Sequence, residues 1–376
     1  MSPKLAPHRF CICIPAYNRA RHLPGLLDSI YAQDCNDFEI VICEDVSRER
    51  EQIAAIARDY SERYPGTLRY FENEANFGYD GNIRRLVEKA TGEFCFFMGN
   101  DDLMYPGALS TVADVLNRHK NVGLVLKSYA WFDEVPEQIN QEIRYFAEER
   151  EFPAGAEAIR VCFRRSGVIS GYVVHRDSAQ AAVTTRFDGT LHYQMHLTAN
   201  VLVERCAVFT PRVLVLCRAN EPPEFGASDS EKGKYIPGRY TPEARLHMVS
   251  GLLSIIKNLR DVGSIDVVDD VVHDYANYFY PYVRDQLDLP TREFLRLYRA
   301  FSRIGFGSYP MFHLYCFVGY VLGEKRFDAL TRLIRRKLGR SPQFGYLKRT
   351  NQSSSSTADR TGEIELKLRS VLPRPH

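Results

Sequence analysis

The chain has 376 residues, 45% of them hydrophobic and 26% charged, with 49 lysines and arginines against 47 aspartates and glutamates, a net charge of +2. That is enough apolar material for a packed core, which excludes a mostly disordered chain. The near-neutral balance gives no whole-chain argument for binding nucleic acid, and the length points to two or three domains of about 150 residues.

Nine cysteines, an odd number without a C-x-x-C pair, stand at 11, 13, 35, 43, 95, 162, 206, 217 and 316. Cys11, Cys13, Cys43 and Cys95 lie in apolar runs, where a free thiol behaves as a small hydrophobe. This usage points to a reducing compartment rather than a secreted disulfide framework. Residues 1–9 carry two prolines and no apolar stretch fit for a signal peptide. No window holds the roughly 18 unbroken apolar residues of a membrane span. The expectation is a cytoplasmic protein.

Strand and helix patterns alternate through the first third. Phe10 to Pro15 reads as a strand, Pro24 to Gln33 as a helix, Phe38 to Glu44 as a strand and Glu51 to Tyr64 as a helix. Leu68 to Phe71 is a short strand, and Ile83 to Ala90 a helix with Gly92 as its C-cap. Glu93 to Met98, a helix from about Pro106 to His119, and a strand over Val122 to Lys127 complete the series. Continuous apolar runs separated by helices predict an α/β fold with a mostly parallel sheet covered on both faces. Ligands of such sheets bind outside the carboxyl ends of the strands.

Further on, Val168 to Val174 and Ala207 to Leu216 read as strands around a helix near Gln194 to Glu204. Asn220 to Tyr240 lacks periodicity, and long loops of this kind are often lids. From about Thr241 to Leu338 the pattern is helical, and residues 341–376 read as a disordered tail.

The residues just past the apolar runs are the candidate site. Pro15-Ala16-Tyr17-Asn18 either presents a ring and an amide or is a plain βα turn. Asp45, after the second run, either accepts hydrogen bonds from a base or ribose or is a solvated loop acid or a helix cap. Asp101 and Asp102 follow Phe94 to Met98 through Gly99-Asn100. A carboxylate there suits a hard divalent cation, with phosphate and water as its other ligands; the alternative is a cap for the helix that follows.

CICIPAYNRARHLPGLLDSIYAQDCNDFEIVICEDVS and NFGYDGNIRRLVEKATGEFCFFMGNDDLM, in that order and spacing, resemble family 2 glycosyltransferases, with NFGYDGN and GNDDLM resembling the abequosyltransferase-like subgroup. The resemblance covers residues 8 to 130 strongly and 160 to 215 weakly. It implies a GT-A, Rossmann-like fold over 1–240, with a donor half at 8–130, an acceptor half at 131–240 and a helical region at 241–340. It implies a glycosyltransferase that moves a sugar from a nucleoside-diphosphate sugar to a glycan or lipid-linked saccharide in bacterial-type surface polysaccharide synthesis. Pro15, Ala16, Tyr17, Asn18, Asp45, Asn82 and Asp101 would hold the donor, and Asp102 a divalent metal, Mn2+ or Mg2+. Ser170, Gly171 and Tyr172 would meet the acceptor. Trp131, the only tryptophan, either stacks on a sugar of the acceptor or is a packing residue.

Two departures from the family pattern stand out. Gly81-Asn82 replaces the family's Arg-Asn, which leaves Arg84 or Arg85 as the substitute cation. Phe187-Asp188 is followed by no Glu-Asp pair, so Asp188, His192 and His196 are the candidates for the general base. His192 and His196, at i and i+4, also match a metal pair on a helix or ordinary core histidines. The missing pair leaves a second reading open, a non-catalytic nucleotide-sugar-binding subunit of a polysaccharide assembly complex. A nicotinamide-dependent dehydrogenase is excluded, because no G-x-G-x-x-G follows the first run.

Between Lys325 and Arg349 stand nine basic residues and one acid, Asp328. Phe327, Leu330, Leu333, Ile334 and Leu338 share one helical face, with Arg332, Arg335, Arg336 and Lys337 mostly elsewhere. Such a helix either lies on the inner face of the cell membrane or packs on the catalytic domain with a solvated basic side.

Overall fold

A computed structural model describes residues 9–219 and 221–338. The first part runs β1 (Phe10–Ala16), α1 (Leu23–Tyr31), β2 (Phe38–Glu44), α2 (Arg50–Arg63), β3 (Leu68–Glu72), α3 (Gly78–Lys89), β4 (Phe94–Phe97), β5 (Leu103–Met104), α4 (Ala108–Arg118) and β6 (Val122–Phe132). The middle follows as β7 (Ile139–Ile143), β8 (Arg150–Phe152), α5 (Ala156–Arg165), β9 (Tyr172–His175), α6 (Arg176–Ala181), α7 (Tyr193–Val201) and β10 (Cys206–Arg218). The rest is helical, with α8 (Pro242–Asp261), α9 (Val268–Ala276), α10 (Tyr280–Val283), α11 (Thr291–Ile304) and α12 (Pro310–Leu338). α12 is broken at Gly323, whose φ is 70°.

The main sheet has the order β3-β2-β1-β4-β9-β6-β10-β5, with β7 beside β6 and β8 beside β10. β1 is parallel to β2 and β4, and β6 to β10. β9 runs antiparallel between β4 and β6, so the amino end of β9 lies at the same edge as the carboxyl ends of its neighbours. The α/β expectation with a mostly parallel sheet is met.

Alternation along the strands divides the core. Ile12, Ile14, Ile40, Ile42 and Phe96 pack on one side under α1, α2 and α4. Cys11, Cys13, Cys43, Cys95 and Phe97 face the other, under α3, α5 and α7. All nine cysteines are free thiols. The helices past residue 241 join the second cluster through Leu252, Ile256, Val271, Phe279, Phe301 and Phe327, so they close one face of the sheet.

Several expectations needed correction. α3 begins at Gly78, five residues before the apolar periodicity starts, because glycines and a buried acid fill its first turns. Gly92 is not a helix cap: the chain leaves α3 extended at Ala90, and a Cβ on Gly92 would lie 2.6 Å from the Cys11 nitrogen. The run from Val168 becomes a strand only at Tyr172, after Gly171 turns at a φ of 75°. The strands β5, β7 and β8 and the helices α5 and α6 were not among the expected elements, although α5 is amphipathic, with Ile159, Cys162 and Phe163 buried. The proposed tail lies outside the described residues, as do the side chains of Arg335, Arg336, Lys337 and Leu338.

Candidate active site

The carboxyl ends of β1, β2, β4, β6 and β10 open on one cavity of about 560 Å³. That volume lies within the range typical of small-molecule sites. Its walls take Pro15, Tyr17 and Arg19 after β1, Asp45 after β2, Gly99 to Asp102 after β4, Trp131 at the end of β6, and Cys217 and Arg218 at the end of β10. His192 and Leu191 come from the turn before α7, and Glu221, Glu224 and Glu231 from the long loop after β10. Asn82 also reaches the cavity. Ala16, Asn18, Ser170, Gly171 and Tyr172 do not line it, nor do Asp188 and His196.

Asp45 is held by three donors. Asn73 Nδ2 and the Phe77 nitrogen reach one oxygen at 2.8 and 2.9 Å, and the Gly78 nitrogen reaches the other at 2.8 Å. Its carboxylate therefore caps the start of α3 while standing in the cavity wall. Burial raises its pKa to about 6 despite those hydrogen bonds. Asn82 is engaged too, donating to the Cys43 carbonyl and accepting from Asn73.

Asp101 and Asp102 do not cap α4, whose start at Gly107 has no side-chain cap. Asp102 accepts from the Arg218 nitrogen at 2.7 Å and from the Ser170 hydroxyl. Ser170, fully buried, thus supports the acid from beneath. Burial and the neighbouring Asp101 raise the Asp102 pKa to about 7. Asp101 pairs with Arg19 at 2.7 Å. Asn100, at the first position of the motif, spends its amide on the Asn18 carbonyl.

Tests of fit for a divalent cation rest on this donor set. Among the described residues no three His, Cys, Asp or Glu side chains converge as a cage. Asp102, with Asp101 beside it in the cavity wall, offers a carboxylate, which suits an ion that takes most of its ligands from phosphate and water. The residues fit such an ion only in company with an anionic ligand.

The base candidates separate clearly. Asp188 pairs with Arg84 at 2.9 Å and faces away from the cavity. His196 is spent on the Ala182 carbonyl and Asn200. His192 alone lines the cavity, with Nε2 buried and without a partner among the described residues. Burial lowers its pKa to about 4, offset in part by the Met248 backbone. The i, i+4 pairing of His192 and His196 makes no metal site.

The turn that presents His192 is strained and clamped. Leu191 has a φ of 62°, a region that costs a non-glycine residue of order 1–3 kcal/mol. Asp80, buried in α3, accepts from the nitrogens of Leu191 at 2.7 Å and Tyr193 at 2.9 Å. Burial raises its pKa to about 7.

Residues 11–172 match the family described as Glycosyl transferase family 2. Residues 11–172 are a family 2 glycosyltransferase domain. An uncharacterized glycosyltransferase of Rickettsia conorii is 26% identical over 160 residues, 43% of this chain and 25% of that protein. Abequosyltransferase RfbV of Salmonella typhimurium is 29% identical over 112 residues, 30% of this chain and 34% of the relative. The chain therefore spans a quarter to a third of the length of these relatives. The crystal structure of S. aureus TarS 1-349 in complex with UDP-GlcNAc superposes with a TM-score of 0.59 at 15% identity, covering 86% of this chain and 92% of that one. That likeness establishes the shared GT-A fold.

Within the glycosyltransferase domain and its C-terminal neighbours, several site residues had no local signal. Arg84 and Arg85 are turned to Asp188, Glu74 and Glu88, so the cavity's cations are Arg19 and Arg218 instead. Arg218 comes into place only through the pairing of β10 with β6. The loop after β10 is fastened by acids: Glu221 to Arg21 at 2.7 Å and His22 at 2.8 Å, Glu224 to Asn18, and Glu231 to the nitrogens of Tyr79 and Gly226 at 2.8 Å each. Gly78 admits that last contact, since a Cβ there would lie 2.5 Å from a Glu231 oxygen.

Proposed function

We propose that the chain transfers a sugar from a nucleoside-diphosphate donor to a saccharide or lipid-linked saccharide acceptor in bacterial-type surface polysaccharide synthesis. The observation that carries this reading is one cavity lined by Tyr17, Asp101, Asp102 and His192, whose buried Nε2 has no partner among the described residues. Tyr17 and Pro15 offer a face to the nucleotide base. Arg19 and Arg218 offer guanidinium groups to its phosphates, a charge-assisted contact. The half-buried Trp131 offers an aromatic face to a sugar ring.

With Nε2 unpartnered among the described residues, a ring proton on Nδ1 leaves the Nε2 lone pair to accept a proton. A neutral imidazole at that position takes the acceptor hydroxyl's proton as its oxygen bonds to the anomeric carbon. The bond from that carbon to the diphosphate breaks, and the nucleoside diphosphate leaves with the electron pair. A divalent cation held at Asp102, Mn2+ or Mg2+, would supply neutralisation of the charge gathering on the diphosphate. Asp102, supported by Ser170 and the Arg218 nitrogen, is the residue that would hold it.

A second reading, a nucleotide-sugar-binding subunit without catalysis, draws on the diversion of Asp188 to Arg84. A thermal-shift panel of UDP-, GDP-, CDP- and dTDP-sugars, with and without manganese, tests donor binding. Metal-dependent stabilisation by one nucleotide class, with slow donor hydrolysis, supports the enzyme. Stabilisation without any hydrolysis supports the second reading, and no stabilisation overturns both.

A further inference from the structure

α11 and the first part of α12 pack as an antiparallel pair, with Phe294 stacked on Tyr320 and Tyr298 on Phe312. Each helix buries one stripe: Phe294, Leu297 and Phe301 on α11, and Phe312 and Cys316 on α12. The opposite stripe of α12, at spacings of three and four, holds Leu314, Phe317 and Val321, which are 52%, 70% and 62% exposed. The opposite stripe of α11, at spacings of four, three and four, holds Arg292, Arg296, Arg299 and Arg303, all exposed. None of these arginines forms an ion pair among the described residues. Leu295, 41% exposed, and Tyr320 lie between the two stripes.

At about 100° per residue both stripes point away from the core, side by side. Glu293, the one acid of α11, falls on the side of that helix away from α12, and Pro310 to Leu322 contain no acid. The expected contact through the later basic helix is weaker in the structure. Phe327 is buried against Tyr280 and Tyr315, and of its large apolar residues with described side chains only Leu333 and Ile334 are well exposed. No helix of the described residues is long and apolar enough to cross a membrane.

We infer that the outer face of the α11–α12 pair docks on an anionic lipid surface, with Leu314, Phe317 and Val321 entering the acyl boundary and the four arginines meeting lipid phosphates. An apolar ridge beside unpaired cations, with no carboxylate between them, has the charge complement of an anionic bilayer. A second copy of the chain would bring the same four cations against themselves. The inference rests on this surface and not on the cavity, so it survives or fails separately from the proposed reaction.

Co-sedimentation of the full chain with vesicles of phosphatidylcholine alone, or mixed with phosphatidylglycerol, tests it. Binding should require phosphatidylglycerol and weaken with salt. Phe317→Glu should abolish it, and Arg296→Ala with Arg299→Ala should weaken it about 30-fold, at about 1 kcal/mol per basic residue. Thermal unfolding of both variants should match wild type, since these side chains are exposed. Wild-type binding by both variants, or equal binding to neutral vesicles, overturns the inference. So does a concentration-dependent dimer in light scattering that Phe317→Glu dissolves.

Discussion

The two walls of the cavity are built by different means. One is a row of strand ends: Tyr17, Asp45 and Gly99 to Asp102 stand where parallel strands stop, and the sheet's own register aligns them. The other is assembled from turn and loop, with His192 presented by a strained turn and the loop after β10 fastened by Glu221, Glu224 and Glu231. Position comes from backbone pairing in the first wall. In the second it comes from carboxylates, of which Asp80 and Glu231 grip main-chain nitrogens and Glu221 and Glu224 grip side chains.

This contrast can be broken at either wall. Asp102→Ala, in the strand-end wall, should lower sugar transfer by about 100-fold or more and remove manganese-dependent donor stabilisation, with the circular dichroism spectrum unchanged. His192→Ala, in the turn, should cost about 100-fold in transfer while donor binding in the thermal-shift assay stays as in wild type. Loss of donor binding together with activity would instead place His192 in the donor half.

Asp80→Asn tests the clamp behind His192. One oxygen of the two is lost, so kcat should fall about tenfold with donor KM unchanged, because the acid touches the turn and not the cavity. A lower melting temperature with unchanged kcat would reduce Asp80 to a structural role. Glu231→Gln should cost about 1–3 kcal/mol in denaturant unfolding, since a buried backbone donor at Tyr79 or Gly226 loses its acceptor.

A further effect is a pH dependence. His192 titrates at about 4 in the folded chain and at 6.5 when unperturbed, so the unfolded state binds more protons between those values. Its contribution to stability is full above pH 6.5 and is lost as pH falls towards 4. Asp45, Asp80 and Asp102 have raised pKa values and act in the opposite sense, with stability falling as pH rises from about 4 to 7. Subtracting the His192→Gln stability curve from wild type cancels the acids, and the difference should shrink on acidification through that window.

Legibility in the sequence follows the same division. The strand-end wall was readable because each apolar run ends at the residue that matters, as at Phe38–Glu44 before Asp45 and Phe94–Phe97 before Asp102. Even there, the role of Asp45 as cap needed the start of α3, which Gly78 and Gly81 concealed from periodicity. The other wall was only partly readable. Asp188, His192 and His196 look alike along the chain, and only the fold turns one of them inward. Ser170, placed under an acceptor by analogy, is carried beneath Asp102 by a turn at Gly171. Arg218 has no local signal at all.

Arg19 already has Asp101 at 2.7 Å and the carboxylates of Glu221 and Glu224 at 3.9 and 3.8 Å. A diphosphate that reaches this guanidinium meets a cation with its partners in place. Its arrival is then an exchange of one anion for another, and the affinity is a difference between two sets of ion pairs. Salt screens both sets, so donor affinity at this site should depend on ionic strength far less than the count of nearby charges suggests.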